Sequence, residues 1–187
     1  MKYRTVIIDP PWEIKTVAPK FCRSPIDEDL PYKTMSDNAL YNFPMHKYAD
    51  ENCDLFLWTT KSKLHLSFHL FVRWGFKYGN LMVWNKRNGV CSNGFHNTVE
   101  FVLYGYKGKS NVSFTKPLEV YFEAKRTKHS EKPAKFYAML IERTKEPRID
   151  IFARKRHYGF DAYGDEVETT MDIPLELCVS PKESETL

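Results

Sequence analysis

The chain has no CxxC pair, no two glycines spaced as GxG, and no apolar run approaching the roughly 20 residues of a membrane-spanning helix. Each absence excludes something. Cys22, Cys53, Cys91 and Cys178 are scattered, which rules out a zinc ribbon and a thioredoxin-type redox motif. His65 and His69 stand four apart on an expected helix, but they share a face with Ser62 and Arg73 and have no acidic ligand beside them. A solvated helix face is the better reading, and no metal is expected. The N-terminal MKYRTVII lacks the longer apolar region and cleavage site of a signal peptide. The protein is therefore expected in the cytoplasm of a bacterium or phage-infected host, or in the nucleus of a eukaryote. There is also no internal repeat and no low-complexity run. With 187 residues, 42% of them hydrophobic, one domain is the economical expectation.

What is present begins with an uneven charge. Residues 165–187 carry a net −6, and the remaining 164 residues carry +10. A basic body with an acidic end points to a polyanionic partner. The pattern along the chain alternates short apolar runs with helical periodicity. Residues 3–8, 54–59, 79–85, 98–104 and 148–153 read as strands, and residues 61–75 and 132–145 as helices. Two stretches, 13–36 and 86–97, read as loops. This alternation predicts an open, mostly parallel α/β sheet flanked by helices, with its ligand beyond the carboxyl ends of the strands. The segments "DPPW", "TTKS" and "RKRH" would then meet at one edge. A catalytic domain over residues 1–168 and an acidic, flexible tail over 169–187 are expected.

The motif Asp9-Pro10-Pro11-Trp12 leaves the first strand. Two prolines donate no backbone hydrogen bond and hold the exit extended, so it presents free carbonyls next to a fixed carboxylate. An indole follows. Rigid acceptors beside a stacking surface suit a planar ligand with an exocyclic amine. Such an amine is a poor nucleophile, because its lone pair is delocalised into the ring. Acceptors fixed on its N–H groups favour a more pyramidal nitrogen and stabilise the positive charge that develops as it attacks. The bland alternatives are a rigid strand-end turn or a proline-rich peptide.

"DPPW" matches the [DNS]PP[YFW] motif of amino-group methyltransferases that use S-adenosylmethionine. Together with "LPYKTMS" (30–36), "DLFLWTT" (54–60), "WGFKY" (74–78), "VWNK" (83–86) and "HSEKPAKFYAMLIERTKEPRIDIFARKRHYGFDAYGDEV" (129–167), it makes the chain resemble the N6-adenine methyltransferase family. This family includes the catalytic subunit of the eukaryotic mRNA N6-adenosine methyltransferase, with bacterial and phage relatives. The resemblance implies a Rossmann-like, S-adenosylmethionine-dependent fold with circularly permuted motifs. The catalytic motif comes first, and the cofactor strand comes late without a glycine fingerprint. It further implies catalysis by Asp9, Pro10, Pro11 and Trp12. Asp9, Lys132, Asp150, Arg154, Asp165 and Glu166 would contact the cofactor. Relatives often carry Asn-Gln or Asn-Glu where Asp165-Glu166 stands, and Glu where Asp150 stands.

The basic stretch 107–135 and the run Arg154-Lys155-Arg156 are expected to neutralise phosphates. An adenine N6 inside a duplex is out of reach of a methyl donor, so the base must flip or arrive single-stranded. Tyr32, Lys86, Arg87, Phe95, His96, Lys155 and Arg156 are the candidate nucleic-acid contacts. The favoured reading is DNA N6-adenine methylation, because little lies outside the catalytic core. RNA adenosine is the alternative, and a non-catalytic nucleic-acid-binding subunit of a heterodimer is the rival from another class. Cytosine N4 is disfavoured by the C-terminal block.

Overall fold

Tyr3–Ile8 forms β1, and its apolar run is buried on both faces, as a central strand requires. The computed structural model describes residues 1–13, 34–92, 94–113, 115–126, 131–164 and 167. Around β1 lie β2 (Ala49–Thr59), β3 (Lys77–Ser92), β4 (Phe95–Lys107), β5 (Tyr121–Glu123), β6 (Arg148–Ile151) and β7 (Asp161–Tyr163). They make one seven-stranded sheet in the order β5-β3-β4-β2-β1-β6-β7. β1 pairs in parallel with β2 and β6, β6 with β7, and β3 with β5. β4 alone among the described strands runs against its neighbours β2 and β3. The sheet is thus mostly parallel and α/β, of the Rossmann-like kind.

Helices α1 (Asp37–Tyr41) and α2 (Leu64–Arg73) lie on one face, and α3 (Ala134–Arg143) lies on the other. α2 buries Ser67, Leu70 and Phe71 at helical spacing. It is closed by Gly75 at φ 78°, with the Phe76 N–H bonded back to the Phe71 carbonyl at 2.9 Å. That is a left-handed glycine cap, the position an L side chain resists. On α3 the buried residues are Phe136, Tyr137 and Leu140, with Met139 half-buried against the same core.

The expected loop at 86–97 is mostly strand. Val90, Cys91 and Ser92 pair with Asn97, His96 and Phe95, extending β3 and β4 into a ribbon past the sheet. Its polar, glycine-containing sequence reads as a loop because both faces of the ribbon are solvated and no apolar alternation is needed. The ladder shifts register between Asn85 and Val90, where Arg87 adopts φ 63°. The strands ending at Ile8, Thr59, Ile151 and Tyr163 and the incoming end of β4 all face the same edge of the sheet.

Candidate active site

The Asp9 N–H donates to the Ile151 carbonyl at 3.2 Å, so β1 stays attached to β6 one residue beyond Ile8. Pro10 and Pro11 then have no N–H, and pairing stops. The Pro10 carbonyl accepts the Trp12 N–H at 2.8 Å, and the Pro11 carbonyl accepts the Met35 N–H at 2.8 Å. A carbonyl oxygen has two lone pairs, so each accepts one bond from the described residues and has a second lone pair. Trp12 is placed differently from a stacking platform. It is 6% exposed, in the cluster with Met35, Leu40 and Phe43, and its indole N–H bonds the Trp58 carbonyl at 3.2 Å. In this arrangement Trp12 braces the ends of β1 and β2 together.

Asp9 shares the α3 face of the sheet with Ile7, and there it meets Lys132. The Lys132 Nζ lies 3.2 Å from Asp9 Oδ1, 2.9 Å from Glu100 Oε2 and 4.8 Å from the centre of the Trp58 ring. Lys86 takes the other oxygen of Glu100 at 3.2 Å. Burial pushes the Asp9 carboxyl up, opposed by Lys132 and by Arg154, while the Glu100 charge adds to the rise. For Lys132, burial acts downward, but the two carboxylates outweigh it and hold the ammonium above its ordinary value. Burial alone would raise Glu100. Lys132 and Lys86 reverse that and hold it below the usual carboxylate range. The indole N–H of Trp58, buried beside this group, has no acceptor among the described residues.

Asp150, one register position along β6, is 2% exposed and accepts the Tyr137 hydroxyl at 2.7 Å. Burial is the largest influence and lifts its carboxyl to about 8, against the lowering effect of the Tyr137 hydrogen bond. Tyr137 stacks on His157 with ring centres 3.4 Å apart and planes 9° from parallel. The backbone beyond is tight: a side chain at Gly164 would run into the Ala153 carbonyl, where β6 and β7 leave the sheet side by side.

The structure therefore gathers Asp9, Lys132, Asp150 and Arg154 at one edge. Tyr32, Asp165 and Glu166 lie outside the described residues. Lys86, read from sequence as a phosphate contact, is instead engaged by Glu100. Arg87 pairs with Glu123 at 2.8 Å, and Lys155 pairs with Glu131 at 3.2 Å. Phe95, 72% exposed, and His96, bonded to the Gly89 carbonyl, stand on the ribbon. Arg156 lines a cavity of about 560 Å³ with Met1, Pro147 and Arg148, at the opposite edge from Asp9. Lys107 also ends β4 at that far edge, opposite Cys53, so the basic stretch 107–135 is not one surface. Sequence reasoning missed Glu100, Tyr137 and Trp58. The signal for Glu100 was present, since a lone acid in the apolar run TVEFVLY needs a cation or hydrogen-bond donors beside it wherever it is buried.

A family model described as MT-A70 matches residues 3–166. Among curated proteins, one described as "Type II methyltransferase M.MunI" from a Mycoplasma species is 28% identical, with 94% of this chain and 82% of that protein covered. An Arabidopsis thaliana protein described as "N(6)-adenosine-methyltransferase MT-A70-like" is 27% identical, over 88% of this chain and 24% of its own length. The human "N(6)-adenosine-methyltransferase catalytic subunit METTL3" is 26% identical, over 82% of this chain and 26% of its own. The chain spans most of the mycoplasma protein and about a quarter of the plant and human ones.

Proposed function

We propose, for a chain that belongs to the MT-A70 family, transfer of a methyl group from S-adenosylmethionine to N6 of adenine in DNA. The observation that carries this reading is the strand end itself: the Asp9 carboxylate, spare lone pairs on the Pro10 and Pro11 carbonyls, and Lys132 at 3.2 Å. The DNA preference is supported by the match to the M.MunI methyltransferase over 82% of that protein, against about a quarter of the N(6)-adenosine-methyltransferases. The names of those same relatives favour RNA as the second reading. The intact Asp9–Lys132 pair speaks against a non-catalytic subunit.

The charged groups fit S-adenosylmethionine. A cofactor carrying an ammonium and a carboxylate on one end finds an acid in Asp9 and cations in Lys132 and Arg154. Asp150 offers a buried carboxyl for a hydroxyl, and the Trp58 N–H is a buried donor left open. When bound, the cofactor supplies an electrophilic methyl group. This chain's contribution is orientation: Asp9 and a proline carbonyl accept the two amine hydrogens and so aim the nitrogen lone pair. The same acceptors stabilise the charge that grows on that nitrogen, and Asp9 is the nearest base for the proton that leaves. Arg87, Phe95 and His96 on the ribbon, with Lys155 and Tyr32, would contact the strand carrying the target.

The test uses purified protein, methyl-labelled S-adenosylmethionine, and unmethylated DNA and RNA, each single- and double-stranded, digested to nucleosides for mass spectrometry. N6-methyldeoxyadenosine made by the intact protein and lost in Asp9→Ala is the expected result. Label in RNA alone would replace DNA with the second reading. Cofactor binding without transfer to any of the four substrates would refute both.

A further inference from the structure

Glu100 is the one acid in β4, and each of its carboxylate oxygens has its own ammonium: Lys132 at 2.9 Å and Lys86 at 3.2 Å. With Asp9 at 3.2 Å on the far side of Lys132, the four side chains form an alternating row, Lys86–Glu100–Lys132–Asp9. All four are partly buried, between 12% and 23% exposed. An ammonium has three N–H donors, and two of those on Lys132 are committed to carboxylates from different segments, Asp9 just past β1 and Glu100 in β4. Lysine carries its charge on a flexible four-carbon stem, and with the Trp58 ring beneath it Asp9 alone would fix only one of its N–H directions. Lys132 itself comes from the segment before α3, whose cap residue Pro133 makes no side-chain hydrogen bond. A second anchor is what fixes it.

We propose that Glu100 is a positioning residue for methyl transfer, anchored by Lys86 and acting through Lys132 to hold the Asp9 carboxylate in one direction. This rests on the methyltransferase reading above. Glu100 need not touch the substrate. Its own charge disfavours ionised Asp9, so its contribution is geometric: it turns the Lys132 ammonium into a clamp with two fixed ends. Lys86 keeps Glu100 charged and stationary, which explains why a lysine near the ribbon is spent on the protein rather than left for phosphate.

The experiment is a double-mutant cycle on the full chain, with Glu100→Ala, Glu100→Gln, Lys132→Ala and the Glu100→Ala/Lys132→Ala pair. Steady-state methyl transfer is measured, and acetylation of individual lysines is followed by mass spectrometry. Glu100→Ala is expected to lower kcat about 10- to 100-fold, with KM for cofactor and nucleic acid within about threefold. In the Lys132→Ala background the same substitution adds nothing. Lys132 is acetylated several-fold faster in Glu100→Ala, while Lys155 is unchanged. Glu100→Gln, which keeps shape and one acceptor, falls in between and serves if the alanine variant does not fold. An equal loss in both backgrounds, or a loss confined to KM, overturns the proposal. An unchanged Lys132 acetylation rate overturns it as well. Absence of transfer by the intact protein refutes the methyltransferase reading and the catalytic consequence with it. The acetylation arm still decides whether Glu100 holds Lys132.

Discussion

Asp9, one residue past the end of β1, and Asp54, within the adjacent β2, are two carboxylates whose partners differ in kind. Asp54, fully buried in β2, accepts the Asn111 N–H at 2.9 Å and the Tyr104 hydroxyl at 2.9 Å. Asn111 is bound in turn by Arg4 and donates to the Asn52 carbonyl. Asp54 is therefore saturated by donors that fix the chain after β4. Burial raises its carboxyl, and those hydrogen bonds oppose the rise. Asp9 has one ion-pair partner among the described residues, an ammonium it shares with Glu100. The lesson is about spare capacity. A carboxylate saturated by neutral donors holds a fold, whereas one held by a shared cation keeps lone pairs for something that arrives later.

The sharpest break in that comparison is Asp9→Asn. The shape survives, and Lys132 keeps Glu100, so thermal melting should move by only a few degrees. Methyl transfer should fall by about 10²–10³-fold, the scale of losing one preorganised electrostatic contact; initial rates with labelled cofactor check it. Asp54→Ala should do the reverse. It strands the Tyr104 hydroxyl and the Asn111 N–H in the interior, at a cost of ~2–3 kcal/mol, read as a lower urea midpoint. Activity per folded molecule is unchanged. If Asp54→Ala loses activity at full folding, or Asp9→Asn unfolds the protein, the division of roles fails.

Much of this was legible in the chain. β1 and the DPPW exit follow from an apolar run ended by prolines that cannot continue a ladder. β6 follows from the apolar run RIDIFA, although Phe152 at φ 64° ends it two residues early, and the resemblance put Lys132, Asp150 and Arg154 at one edge. The rest depends on contacts between distant segments. Lys86 looks like a surface cation until β4 brings Glu100 across from β3. Arg156 sits two residues from Arg154, yet it lines the cavity at the other edge, on the segment that crosses back from β6 to β7. Trp12 reads as a stacking ring, because nothing local says that Met35 and the Trp58 carbonyl will cover it. The ribbon at 86–97 was hidden for a similar reason: two-sided solvation erases the alternation that marks a strand.

Asp150 offers a third carboxylate to compare, dry like Asp54 but at the functional edge. Its pKa of about 8 in the folded protein stands above an unfolded value near 4. The folded state therefore binds the extra proton between those limits, and stability falls as pH rises through that window and levels off above it. Asp150→Asn keeps an acceptor for Tyr137 and has no charge to bury. It should melt higher than the intact protein at pH 8, with the gap closing toward pH 4. Melting curves across this range check the sign; a gap that widens on acidification would show that Asp150 is held charged.

The smallest effect separates the buried row from the ion pair at the root of the ribbon. Arg87 and Glu123 meet at 2.8 Å but are 66% and 37% exposed, so solvent screens the pair and it contributes little to the fold. Arg87 also holds φ 63°, a left-handed conformation that glycine adopts without strain. Arg87→Ala should barely change the melting temperature, and Arg87→Gly should be the more stable of the two. Both remove the same cation from the ribbon. If it neutralises a phosphate, each variant should bind DNA more weakly at low salt, with the slope of log affinity against log salt shallower by about one unit. Matched binding titrations at several salt concentrations decide it. A slope unchanged in both variants would take Arg87 out of the nucleic-acid surface and leave it as a partner of Glu123 alone.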